Sequence, residues 1–136
     1  MADLVIDASV ASAWCYPDER TEYTQAVFQA VSSSSETLAP DLWAYEIRNS
    51  LLMGVRRGRI TPVDAEDLLV ALGKLGVQLC APVSFDPLFR LAHHHGLTIY
   101  DAAYLDLALR EGLPLATLDR QLLKAAQDAG VKIFPP

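Results

Sequence analysis

The chain has 136 residues, of which 51% are hydrophobic and 21% charged. This composition suits a globular protein and excludes a disordered or fibrous one, so we predict a single domain over residues 1–136. The 11 basic and 17 acidic residues give a net charge of −6, which argues against a broad basic surface for nucleic acid. It does not exclude an enzyme that reaches nucleic acid through bound metal ions.

No signal for secretion or membrane insertion is visible in the sequence. The start of the chain lacks a basic segment and carries Asp3 and Asp7, and no apolar run approaches the roughly 18 residues of a membrane span. Cys15 and Cys80 lie far apart without metal-type spacing, which predicts two buried thiols in a reducing compartment. We therefore expect a cytoplasmic protein.

Apolar patterning and helix-end residues predict strands alternating with helices along the whole chain. In chain order the predicted elements are a strand at 4–6, helices at 7–16 and 19–31, a strand at 37–39, helices at 42–57 and 61–72, a strand at 77–80, helices at 86–95 and 101–111, a strand at 115–117, a helix at 119–129 and a strand at 131–134. Asp41 is the expected N-cap of the third helix. This alternation predicts βαβ units and a parallel sheet, whose functional crevice lies beyond the carboxyl ends of the strands.

Four acids fall where this arrangement would bring them to one end of the sheet. Asp7 ends the first strand, and Asp119 lies two residues beyond Thr117 at the end of a later strand. Asp101 begins a helix, and Glu46 lies one turn into another. Crowded carboxylates repel unless a cation lies between them, and all-oxygen ligands suit Mg²⁺ or Mn²⁺. Such an ion can activate water and stabilise charge in phosphoryl transfer.

A structural explanation of the same acids remains open at this point. An Asp that precedes a helix is often only an N-cap, which would account for Asp7, Asp101 and Asp119 without any chemistry. Glu46 would then be an ordinary exposed glutamate.

Four segments around these acids resemble the PIN-domain nucleases, and the VapC-type toxins in particular. The segments are Val-Ile-Asp7-Ala-Ser-Val, Pro-Asp-Leu-Trp-Ala-Tyr-Glu46-Ile-Arg-Asn49, Leu-Thr-Ile-Tyr-Asp101-Ala-Ala-Tyr-Leu and Ala-Thr117-Leu-Asp119. They occur in the order that the family shows and span nearly the whole chain. The four segments together are more specific than any one of them alone.

The resemblance implies a three-layer α/β/α sandwich around a short central parallel sheet, with metal-dependent endoribonuclease activity. It also implies a toxin that pairs with a VapB-type antitoxin and forms a homodimer. By resemblance, the residues that hold Mg²⁺ or Mn²⁺ and act in catalysis are Asp7, Glu46, Asp101 and Asp119. The supporting residues that it implies are Thr117 and Asn49, and Ser9 is placed to hydrogen-bond near Asp7.

Other polar residues have weaker functional interpretations. The basic cluster of Arg48, Arg56, Arg57 and Arg59 suits either RNA or antitoxin contact, or simply a solvated helix end. Asp106 lies about 140° around the helix from Asp101, so we do not count it as a ligand. Adjacent histidines at 93–95 point in different directions, and we expect them to stabilise a helix C-terminus.

Apolar residues on the helices at 42–57 and 61–72 exceed what one sheet face accommodates with ease. We therefore predict an exposed apolar surface that an antitoxin segment covers. The residues are Trp43, Ile47, Leu51, Leu52, Val55, Leu68 and Leu69. Trp43, like Trp14, is itself expected in the core.

Three other functions share parts of this pattern. A haloacid-dehalogenase-type phosphatase needs a second Asp two residues after the first, where this chain has Ser9. A response-receiver domain needs an Asp at the end of a middle strand, whereas Ala81 and Pro82 follow the strand at 77–80. A binding module that keeps a PIN-like fold without catalysis is the third, and the complete set of acids argues against it.

Overall fold

The structure, a computed structural model, describes residues 3–135 and consists of short strands alternating with helices. In chain order the elements are β1 (Leu4–Ile6), α1 (Ala8–Cys15), α2 (Glu22–Ser33), β2 (Thr37–Pro40), α3 (Leu42–Arg56), α4 (Pro62–Gly73), β3 (Gln78–Cys80), α5 (Asp86–His95), α6 (Ile99–Glu111), β4 (Leu115–Ala116) and α7 (Arg120–Asp128). Met1, Ala2 and Pro136 of the predicted single domain lie outside the described residues. None of the helices within 3–135 is long and apolar enough to cross a bilayer.

The four strands form one parallel sheet in the order β3-β2-β1-β4. Every residue of β1 and β2 is buried, so helices cover both faces of the centre of the sheet, as parallel sheets require. This confirms the predicted three-layer α/β/α sandwich with a short parallel sheet. Because the strands are parallel, the segments that follow β1 and β4 leave the sheet at the same edge, and they carry Asp7 and Thr117.

A close contact between α1 and α3 fixes the helix that carries Glu46. The Tyr16 hydroxyl, just after α1, donates to the Ser50 carbonyl at 2.8 Å. Gly54 makes room for this ring, since a Cβ at that position would lie 2.9 Å from the Tyr16 Cζ. The Arg59 guanidinium stacks on the same ring, 4.0 Å from its centroid. α3 is thereby held at two successive turns.

Two predicted helix starts were wrong because a threonine caps each helix at another residue. The second helix begins at Glu22 rather than residue 19, since the Thr21 side chain accepts from the Thr24 N–H. The helix predicted from Asp101 begins at Ile99, since the Thr98 side chain accepts the Asp101 N–H. Asp101 therefore lies inside the first turn of α6 and is not its cap.

Three further expectations need correction. Asp41 does not cap α3: its backbone is helical and its side chain makes no capping bond. The last predicted strand is reduced to one bridge, between Ile133 and Leu115. Both cysteines are free, but only Cys15 is buried, because Cys80 ends the edge strand β3 and is partly exposed.

Candidate metal centre

Asp7 lies at the bottom of the site, with 5% of its surface exposed. Its Oδ2 accepts hydrogen bonds from the Ser9 and Thr117 hydroxyls, both at 2.7 Å. Burial raises the pKa of Asp7, the two hydroxyls oppose that rise, and the charge on Asp119 adds to it. Although Asp7 stands at the N-cap position of α1, its side chain makes no capping bond. The carboxylate is therefore turned into the site.

The two hydroxyls that hold Asp7 also join the end of β1 to the loop after β4. Ser9 Oγ accepts from the Leu118 N–H at 3.0 Å, and Thr117 Oγ1 accepts from the Asp119 N–H at 3.0 Å. Each hydroxyl thus donates to the carboxylate and accepts from the backbone. This arrangement restrains the Asp7 carboxylate through neutral donors, without adding any positive charge.

Glu46 approaches from α3 and is half-buried. The Tyr104 hydroxyl donates to its Oε1 at 2.6 Å. Burial raises the pKa of Glu46, the hydrogen bond from Tyr104 lowers it, and the charges on Asp7 and Asp101 raise it further. Glu46 is therefore not the ordinary exposed glutamate of the structural explanation.

Asp101 and Asp119 complete the group from α6 and α7. Burial, followed by the charges on Asp119 and Asp7, raises the pKa of Asp101 to about 6. Asp119 caps α7, since its Oδ1 accepts from the Leu122 N–H at 3.0 Å. The N-cap explanation thus holds for Asp119 but not for Asp7 or Asp101.

The four acids share one electrostatic environment, but they do not form a closed ligand set in this structure. Within residues 3–135, no three His, Cys, Asp or Glu side chains converge closely enough to hold a metal ion. Each raised pKa nevertheless includes repulsion from another of these acids. A divalent cation would offset that repulsion, and the all-oxygen donor set suits a hard ion such as Mg²⁺ or Mn²⁺. The residues present therefore fit such an ion.

A model of the family described as PIN domain matches residues 4–128. The chain belongs to the PIN-domain family. It is 43% identical over 123 residues, 88% of this chain and 91% of the relative, to a protein named Ribonuclease VapC3 from Pyrobaculum aerophilum. It is 37% identical over 89 residues, 65% of each chain, to Exonuclease VapC9 from the same organism. These relatives confirm the predicted VapC-type resemblance.

Solved structures show the same PIN-domain architecture. PAE2754 from Pyrobaculum aerophilum superposes with a TM-score of 0.74 at 27% identity, over 91% of this chain and 84% of that one. FitAcB from Neisseria gonorrhoeae has a TM-score of 0.67 at 20% identity, over 98% of this chain and 96% of that one. At that identity the second likeness concerns the fold alone.

Two tyrosines of the PIN-domain site escaped prediction from the sequence. Tyr104 follows Asp101 by three residues, so both lie on the same face of the helix. The hydrogen-bond partner of Tyr104 is Glu46, which is 58 residues away in the sequence. The Tyr23 hydroxyl is buried and makes no hydrogen bond of ordinary geometry within residues 3–135. Burial and the nearby charge of Asp7 raise the pKa of Tyr23, while the Thr117 backbone lowers it. No local pattern indicated either contact.

The predicted basic cluster is not a uniform positive surface. Arg59 pairs with Asp18 and Glu19 at 3.0 and 2.9 Å, which balances its charge locally. Arg48 is exposed, and its Nη1 donates to a carbonyl of its own helix. The remaining members, Arg56 and Arg57, are exposed around the end of α3, and Asn49 is exposed on the same helix. Roles for these residues in RNA or antitoxin contact stay predictions.

An apolar cavity of about 210 Å³ lies beyond the ends of β2 and β3, and none of the four acids is among its lining residues. Its lining includes Phe85 and Tyr100, which are 73% and 66% exposed. Asp106 also lines it and pairs with Arg110 at 3.1 Å, in keeping with its omission from the ligand set.

Proposed function

We propose that this chain is a metal-dependent endoribonuclease and the toxin of a toxin–antitoxin pair. The observation that carries the proposal is the group of four acids at one sheet edge, where burial and the charges of neighbouring acids raise the pKa values of Asp7, Glu46 and Asp101. The relative named Ribonuclease VapC3, 43% identical to this chain, supports the reaction class. RNA is the proposed substrate, and the reaction is hydrolysis of its phosphodiester bonds.

The four acids would hold Mg²⁺ or Mn²⁺ and place it against the scissile phosphate. When bound, such an ion supplies an activated water and offsets charge on the phosphate. The chain itself contributes rigidity: two hydroxyls fix Asp7, one fixes Glu46, and a backbone N–H fixes Asp119. Fixed ligands lower the cost of gathering charges that otherwise repel.

Circular single-stranded RNA provides the sharpest test, since one relative is named an exonuclease. We expect the protein to open the circle with Mn²⁺ or Mg²⁺, to fail in EDTA, and to recover when metal is restored. Linear RNA of the same sequence is the control. Cleavage of only the linear RNA would make the chain an exonuclease. If the protein cleaves neither RNA when metal is present, the result would favour the non-catalytic binding module.

The proposed partners are a VapB-type antitoxin and a second copy of the chain, in the cytoplasm. For the residues named, the exposed apolar surface predicted on α3 and α4 is mostly wrong, because most of those side chains pack into or against the core. Trp43, Ile47 and Leu51 are buried, and Val55, Leu68 and Leu69 are partly so. Of that set only Leu52, 44% exposed, remains on the surface. We therefore assign partner contact to the exposed rings around the apolar cavity.

A charge placed among these rings tests the partner surface. We expect Phe89→Glu on α5, one helical turn after the cavity-lining Phe85 and 69% exposed, to weaken binding of a co-encoded small protein in a pull-down assay. Val63→Glu, at a residue 67% exposed on α4, is the matched control. Light scattering of both variants reports self-association. A Phe89→Glu protein that still binds the partner and keeps its oligomeric state would remove this surface from the proposal.

A further inference from the structure

Tyr104 links two of the acids through the core. It lies on α6 one turn after Asp101, and its side chain is fully buried. Its hydroxyl donates to Glu46 Oε1 at 2.6 Å. That length is typical of an O–H group donating to an ionised carboxylate, a bond stronger than one between neutral groups. The hydroxyl is therefore the polar end of a core residue directed at the Glu46 carboxylate.

Glu46 needs such a partner more than the other acids do. A glutamate side chain has more rotatable bonds than an aspartate, so fixing it costs more conformational entropy. The charges on Asp7 and Asp101 also repel the Glu46 carboxylate. A carboxylate has about four lone-pair sites, so one donor leaves capacity for a cation. The hydrogen bond can thus hold Glu46 without preventing metal binding.

Tyr16 is a matched control for a purely structural role of the Tyr104 hydroxyl. Tyr16 is also buried, with 4% exposed, and its hydroxyl also donates to α3, at the Ser50 carbonyl. Removing either hydroxyl deletes one partly buried hydrogen bond to the same helix. Only the Tyr104 hydroxyl contacts an acid of the site.

We infer that Tyr104 is a positioning residue of the metal centre, whose hydroxyl holds the Glu46 carboxylate in place for a divalent cation. The inference rests on the proposed function, since it assumes that Glu46 is a metal ligand. Tyr104 itself does not touch the cation or the RNA. Its effect should therefore appear in metal affinity before it appears in the maximal rate.

Mn²⁺ titration of the EDTA-stripped chain by calorimetry measures this effect directly. Loss of a partner that orients a ligand typically weakens metal affinity by about 10- to 100-fold, and we expect Tyr104→Phe to reach at least the lower figure. Tyr16→Phe should bind Mn²⁺ as the wild type does. RNA cleavage by Tyr104→Phe should need more Mn²⁺ for half-maximal rate and recover towards the wild-type rate at saturation.

Thermal melts in EDTA show whether each variant still folds, so that a loss of metal affinity is not confused with a loss of structure. Unchanged Mn²⁺ affinity in folded Tyr104→Phe overturns the inference, and so does an equal loss in Tyr16→Phe. If Tyr104→Phe does not fold, Glu46→Asp tests the other end, because the shorter side chain cannot keep both the hydroxyl and the metal position. Full affinity in Glu46→Asp also overturns it. A wild type that binds no Mn²⁺ and cleaves no RNA instead overturns the proposed function and, with it, this inference.

Discussion

Asp7→Asn is expected to reduce metal-dependent RNA cleavage by about 10²- to 10³-fold, since metal-ion stabilisation is worth several kcal/mol. Asp7 is the most buried of the four acids, and both Ser9 and Thr117 direct their hydroxyls at it. Asparagine keeps an oxygen that can accept those bonds but lacks the charge that binds the cation. Initial rates on the circular RNA, with Mn²⁺ varied, measure the loss.

The same substitution should leave the fold intact. Burial raises the pKa of Asp7, so ionising it costs the metal-free protein stability, and a neutral side chain removes that cost. Asp67→Asn, on the exposed side of α4, is the control for the change in net charge. Wild-type cleavage by a folded Asp7→Asn protein would show that Asp7 is no ligand. An equal loss in Asp67→Asn would attribute the effect to overall charge.

The sheet and its order along the chain were predictable because each strand is a short apolar run followed by a helix. β1 and β2 are buried on both faces, so their residues do not alternate between apolar and polar. Asp7 follows β1 directly, so it lies at the edge of the sheet where the parallel strands end. The helix starts were less predictable, since several residues near each start are able to cap. At α6 we predicted a start at Asp101, whereas Thr98, which has an acid three residues later, caps the helix by accepting the Asp101 N–H.

The acids of the site were predictable by type and position, but their immediate partners were not. Ser9 and Thr117 lie within two residues of an acid, so local sequence indicated them. Tyr104 and Tyr23 reach Glu46 and the Asp7 region from helices distant in sequence, and no local spacing encodes such contacts. The prediction of an exposed apolar surface on α3 and α4 failed for most of its named residues for the same reason: it depended on contacts between distant segments. Packing of α3 against α1 and α4, which brings most of these residues into the core, is a tertiary event.

Because the four acids repel one another, a second large effect is expected on the stability of the metal-free protein. Asp101→Asn should raise the melting temperature in EDTA at neutral pH. The pKa of Asp101 in the folded chain is raised from 3.8 to about 6. The native state therefore holds the proton more tightly than the unfolded state does. Stability of the wild type consequently falls as pH rises from about 4 to about 6, and the full penalty persists above that window.

The size of the gain follows from two opposing effects. Solvent screening of this half-buried group reduces the penalty to about 1–2 kcal/mol. Against it, a charge in the first turn of α6 interacts favourably with the helix N-terminus, by about 0.3–1 kcal/mol. A net gain between about 0 and 1.7 kcal/mol, at most a few degrees in melting temperature, is expected above pH 6. The gain should shrink towards pH 4 and vanish below about pH 3, where Asp101 is neutral in both the folded and the unfolded state.

Mg²⁺ should reverse the order of the two proteins. At about 100 times its dissociation constant, a cation that binds only the folded site adds about 2.7 kcal/mol to the wild type. Asp101→Asn should respond less, having lost one ligand. Asp106→Asn, on the same helix, is the control: it breaks the pair with Arg110 and should give no gain in EDTA and a wild-type response to Mg²⁺. Identical melts of wild type and Asp101→Asn, with and without Mg²⁺, would mean that the acids act separately.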